Sequence, residues 1–187
     1  MARLPYADPA APEAGALAKR IVVERGSILH LYQMLLHSVP LAEGWLAFLT
    51  AIRQRLSLSG ALRELVIMRV AIVNGAQYEA DQHAPIALRE GLTQQQLDAV
   101  AQWERSECFA DEQRAALALT DSMTRNVQVP QSVFEALREH LDDREVVELV
   151  ATIAAYNMVS RFIEALGIHS DDARSVESVP PSRGDAQ

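Results

Sequence analysis

Residues 62–93 read LRELVIMRVAIVNGAQYEADQHAPIALREGLT. From Leu62 to Val73 the run is apolar almost all round a helix, so a helix over 60–73 must lie inside the core. Asn74-Gly75 interrupts it, because glycine tolerates a backbone turn that other residues resist. A second helix follows from about 76 to 89 and stops at Gly91, in a C-cap position. Pro85 is expected to kink or break that helix just after His83. Two helices joined by a tight turn set the class of the whole chain.

Outward from this pair, helical spacing continues. Helices are expected at about 13–25, 27–38 and 41–56, the middle one carrying Ile28, Leu31, Leu35 and Leu36 and ending near Pro40. Thr93 and Gln96 form a capping box for a helix over 94–104. Further helices are expected at 111–126 and from Pro130 to His140. Asp142 and Glu145 repeat the capping-box spacing before REVVELVATIAAYNMVSRFIEAL, which ends at Gly167. Being apolar on several sides, this last helix belongs at the centre or at a subunit interface. No alternating strand pattern occurs, and no repeat. The fold class is therefore all-α, a single-domain helical bundle of about seven to nine helices. Its domain spans 13–167, between an extended arm at 1–12 and a polar, disordered tail at 168–187.

Composition narrows the function. The chain has 187 residues, 49% apolar and 22% charged, which suffices for a core without staples. Aromatics are only 5%, which favours helices over strands. A net charge of -8 argues against nucleic acid, whose binding needs a basic face. No window of 18 consecutive apolar residues is found, so no membrane span is expected, and the N-terminal segment lacks a signal-peptide pattern. The expected location is cytoplasmic. One cysteine, Cys108, permits neither an intramolecular disulfide nor a cysteine-based metal cluster. With Glu107 and Asp111 close by, it lacks the cationic setting of a reactive thiol.

The chemistry concentrates at residues 64–83. Glu79 and His83 are four residues apart, hence one turn apart on one helix face. Glu64 lies on the core helix with Gly60, Ala61, Ile67 and Met68 as same-face neighbours, none of which can neutralise it. A carboxylate there costs several kcal/mol, by order of magnitude, unless paired, hydrogen-bonded or protonated. The Asn-Gly turn can bring Glu64 opposite Glu79 and His83, giving two carboxylates and an imidazole with separated pKa values. The pattern also fits an ion pair from Glu64 to an arginine of another helix, with Glu79–His83 as an exposed helix-stabilising pair. A metal is not expected, since the paired Glu-x-x-His repeat of diiron bundles is missing.

The run from Leu62 to Val100, with its Arg-Glu-Leu helix, Asn-Gly turn, Tyr, His and Gly-Leu-Thr, resembles the central motif of the carboxymuconolactone decarboxylase and alkylhydroperoxidase D-like superfamily. LVATIAAYNMVSRFIEALGI resembles that family's last helix, so the likeness covers about residues 28–167. In the peroxidase branch a Glu, a Cys-x-x-Cys pair and a His form a proton relay. The Glu and His fall on Glu64 and His83, but the cysteine positions fall on Ala76 and Glu79. Dithiol peroxide reduction is thereby excluded.

The resemblance then implies the decarboxylase-like branch: a lyase needing no cofactor, acting on a small lactone or carbonyl acid. Under it Glu64, His83 and Glu79 are catalytic, His83 as proton donor or oxyanion partner. Tyr78 and Gln82 shape the pocket, Arg69 or Arg161 receives a substrate carboxylate, and Tyr156, with Asn157 beside it, offers a hydrogen bond to ligand. The implied assembly is a homotrimer or homohexamer. A lactone hydrolase of the same fold and a non-catalytic oligomeric binding protein are the alternatives.

Overall fold

A computed structural model describes residues 2–170, whose regular elements are all helical. Nine α-helices run in order: α1 Gly15–Arg25, α2 His30–Leu35, α3 Val39–Gln54, α4 Gly60–Asn74, α5 Gln77–Arg89, α6 Gln94–Ala99, α7 Asp111–Arg125, α8 Gln131–Arg138 and α9 Asp143–Leu166. A 3-10 stretch, Val100–Arg105, follows α6.

α4 is the hub, packing against α5, α7 and α9. Its ten residues from Leu62 to Ala71 are all buried, as a helix apolar on every side requires. Ser59 caps it by accepting a hydrogen bond from the Leu62 amide, and Gly75 closes it with φ of 67°. That left-handed value is what a C-terminal glycine supplies without steric cost. The capping boxes Thr93/Gln96 and Asp142/Glu145 both form.

α9 is the second core helix, with Leu149, Ile153, Tyr156 and Ile163 almost wholly enclosed. By length and composition alone it is apolar enough to cross a membrane, at mean hydropathy 1.4, although charged residues interrupt its apolar run. Some 56% of that stretch is buried within the fold, the pattern of a core helix.

Three expectations are corrected. Pro85 neither breaks nor ends α5, which continues to Arg89. Pro85 and Asp81 are both exposed, so the carbonyl that proline leaves without a donor faces water rather than the core. The helix expected over 94–104 stops at Ala99, and Gln102 takes a non-helical φ of -127°. The polar tail does not begin at 168: Ile168 is buried and the Ser170 hydroxyl donates to Asp81. The rest of that tail, 171–187, lies outside the described residues. At the other end the arm is tied down, the Arg3 amide donating to the Leu166 carbonyl and the Ala7 amide to that of Gln33.

Candidate active site

The tight Gly75 turn folds α5 back along α4, which places His83 against Glu64. His83 Nδ1 lies 2.7 Å from Glu64 Oε2, and Arg63 Nε donates to Glu64 Oε1 at 3.1 Å. Glu64 is fully enclosed and His83 is 7% exposed. Burial alone would raise the pKa of Glu64, but the bond and charge of His83, and then Arg63, hold it below the usual carboxylate range. Burial lowers that of His83 against the pull of Glu64, so the ring is neutral at neutral pH. An ionised carboxylate only accepts, so Nδ1 carries the proton and Nε2 keeps a lone pair. Nε2 has no hydrogen-bond partner among the described residues. It is a poised base.

Glu79, one turn earlier, has the opposite state. It is 2% exposed, and its carboxyl oxygens each lie 3.1 Å from the Ser160 hydroxyl of α9. Burial, only partly offset by Ser160 and reinforced by the charge of Glu164, raises its pKa to about 8. Glu79 is a neutral acid at neutral pH, because no cation among the described residues compensates its desolvation. Neutral acid and neutral base line one cavity.

That cavity, about 40 Å³, is enclosed by α5, α9, α3 and the start of α2, with Tyr78, Glu79, Gln82, His83, Tyr156 and Arg53 in its wall. It has room for roughly three waters by the usual volume per site. The Tyr156 ring stands edge-on to His83, centroids 4.9 Å apart at 89°. Burial pushes its phenol well above the ordinary value, so it stays a hydroxyl. Among the described residues that hydroxyl has no hydrogen-bond partner either. Gln82 is half-buried and Tyr78 buried.

Two of the expected residues lie elsewhere. Arg69 points into a different junction, donating to Asp121 at 2.5 and 2.7 Å and to the carbonyls of Val100 and Ala101 at 3.0 Å. Every arm of its fork is engaged, so it cannot receive a substrate carboxylate. Arg161 is exposed and bonds the Asn157 carbonyl and side chain, on the outer part of α9. Asn157 in turn donates to Thr124 and accepts from Asn74, a closed structural network. The pairing of Glu64 with an arginine is real, but the arginine is its chain neighbour Arg63. The Glu79–His83 pair is buried, not exposed.

Sequence reasoning missed Arg53, Arg63 and Ser160. Arg53 follows Leu49 by one turn on the buried face of α3, a signal available in the spacing. Ser160 interrupts the apolar stripe of α9 in the same way. Among the described residues no group of three or more His, Cys, Asp or Glu side chains is placed to hold a metal ion.

The profile of the Carboxymuconolactone decarboxylase family matches residues 40–122, which carry Arg53, Glu64, Glu79 and His83. The chain is 31% identical to the uncharacterized protein YdfG of Bacillus subtilis over 59% of its own length and 77% of that protein. It is 33% identical to the uncharacterized protein YnjA of Escherichia coli over 70% and 69%. An uncharacterized peroxidase-related protein of Ralstonia eutropha, described as an alkylhydroperoxidase core, superposes with a TM-score of 0.79 at 21% identity. That alignment covers 91% of this chain and 93% of the other, a likeness of fold.

Proposed function

The chain belongs to the carboxymuconolactone decarboxylase family, within the alkylhydroperoxidase D-like superfamily, and from that premise we propose that it is a cofactor-free lyase acting on a small lactone or carbonyl acid. The observation that carries this reading is the pairing of a neutral carboxylic acid, Glu79, with a neutral imidazole backed by a carboxylate, His83–Glu64, in one cavity. The bond from the substrate's carboxylate carbon to its ring breaks. The electron pair passes through the conjugated double bond to the carbonyl oxygen, and carbon dioxide leaves. Tyr156 donates a hydrogen bond to the enolate oxygen, stabilising charge where it develops. Glu79 then delivers its proton to carbon.

The spent Glu79 carboxylate regains a proton from water through His83. Nε2 takes it up, Glu64 stabilises the transient imidazolium, and the proton moves one turn along α5. His83 is thus first an acceptor, whereas the resemblance implied a proton donor or an oxyanion partner. The small cavity accommodates the reacting carbons, with the remaining substrate at the mouth beside Arg53 and Gln82. Cysteine-dependent peroxide reduction finds no support, with Ala76 and Glu79 at the dithiol positions and Cys108 hydrogen-bonded to Ser106 outside the cavity.

Assembly as a homotrimer or homohexamer in the cytoplasm belongs to the same reading. Val23 and Val147, 85% and 68% exposed, are candidate contact residues, and sedimentation velocity would report the stoichiometry.

The test is carbon dioxide release from carboxymuconolactone by wild type, Glu79→Gln, His83→Ala and Glu64→Gln. Release in the wild type and at least a hundredfold loss in Glu79→Gln, with folding retained, supports the acid assigned here. Ring opening without loss of carbon would make the protein a hydrolase. No turnover at all, with unchanged ligand binding in the variants, would make it a binding protein.

A further inference from the structure

Arg53 sits on the last turn of α3, half-buried, and forms part of the cavity wall beside His83 and Gln82. The other buried guanidinium groups of the core are spoken for. Arg63 is held by Glu64 and Glu90, and Arg69 by Asp121. Arg25, across the same end of the bundle, is engaged by Tyr32 and Thr50. Arg53 alone of this set makes no hydrogen bond or ion pair with the described residues.

Its surroundings leave that charge uncompensated. Glu64, the carboxylate beneath His83, is already engaged by Arg63 and His83. Glu79 keeps its proton at neutral pH, and His83 and Tyr156 are uncharged there. The Arg53 charge is felt by both His83 and Tyr156, which places it within electrostatic reach of the reacting groups. A half-desolvated guanidinium without a counter-ion costs free energy that an incoming anion returns. Its planar fork matches a carboxylate in two parallel hydrogen bonds.

We infer that Arg53 is the residue that selects a carboxylate-bearing ligand, binding the carboxylate at the cavity mouth so that the attached carbon points at His83 Nε2 and the Glu79 carboxyl. This rests on the reading of the cavity as an acid–base site, and it deepens that reading by fixing the charge of the ligand. Neutral lactones and amides of the same size are then poor ligands. Gln82, without a partner among the described residues, supplies a further donor around the bound group.

The test needs no turnover. Acetate, and acetamide as its neutral isostere, are titrated at constant ionic strength into protein carrying ¹³C-labelled histidine. The His83 ring resonance, assigned by its loss in His83→Gln, is followed in wild type, Arg53→Gln and Arg53→Lys. Acetate is expected to shift it saturably, acetamide to leave it in place, and Arg53→Gln to weaken acetate at least tenfold. Arg53→Lys, which keeps the charge but not the fork, should fall between them. Equal responses to acetate and acetamide, or an Arg53→Gln titration like the wild type, would overturn the assignment. Acetate binding that depends on Arg53, without carbon dioxide release from carboxymuconolactone, would keep this site and discard the lyase. Release with KM unchanged in Arg53→Gln would do the reverse.

Discussion

Replacing Glu79 by Gln removes a buried proton equilibrium while keeping the shape of the protonated acid, so its effect on stability must depend on pH. Glu79 titrates near 8 in the folded protein and near its ordinary 4.5 when unfolded. The folded state therefore binds more protons between those values, and the stability this gives is complete below about 4.5 and lost as pH rises to about 8. At about 1.4 kcal/mol for each tenfold change in proton activity, the interval amounts to roughly 5 kcal/mol. His83 and Glu64 act in the opposite sense. Both are lowered on folding, so their contribution is present above their unfolded pKa values and lost as pH falls. A raw stability curve mixes the two, and the difference between wild type and Glu79→Gln separates them. Urea unfolding from pH 4.5 to 9, at one fixed protein concentration because assembly would shift the midpoint, gives that difference. The variant should match the wild type within about 1 kcal/mol near pH 5 and exceed it by several kcal/mol at pH 9. Parallel curves would show that Glu79 ionises normally, and the proton donor of the proposed lyase would be lost with them.

Three further outcomes follow from the geometry. Arg69→Met takes the bidentate guanidinium from Asp121, leaving it the Trp103 indole and Arg125 at 3.8 Å, and should cost about 3 kcal/mol in urea midpoint analysis; a loss below 1 kcal/mol would mean water or Arg125 replaces the guanidinium. Gly75→Ala has space for its methyl, since nothing lies within 4 Å, so only the left-handed backbone is penalised, by about 1–2 kcal/mol in thermal unfolding. Tyr156→Phe should change stability by less than about 1 kcal/mol, because its hydroxyl bonds nothing in the described residues. The same variant should slow carbon dioxide release about a hundredfold, and unchanged release would remove Tyr156 from the reaction.

How much of this was legible in the sequence depended on distance along the chain. Glu64, the Asn-Gly turn and His83 lie within twenty residues, and helical periodicity plus one glycine sufficed to bring them together. The capping boxes at Thr93 and Asp142 are likewise hydrogen bonds over three residues. The partners of Arg69, 52 residues away, and of Glu79, 81 residues away, depend on how helices cross, which periodicity does not encode. Arg69 looked available because Asp121 was invisible from it. Arg53 was passed over for the converse reason: its significance is that no partner comes among the described residues. Pro85 misled because local propensity says nothing of which face meets solvent, and on the outer face of α5 the lost bond is replaced by water.

The burial of α4 from Leu62 to Ala71 also governs how the chain is made. Its packing partner α9 ends at Leu166, some ninety residues after α4 is finished at Asn74. At ribosomal rates of about 5–20 residues per second, the apolar surface of α4 waits on the order of ten seconds for that cover. During this interval Leu65, Val66, Ile67 and Val70 are open to other nascent chains or to a chaperone. Synthesis interrupted before α9 leaves them without that cover, so chains terminated ahead of Asp143 should yield aggregate rather than a soluble fragment.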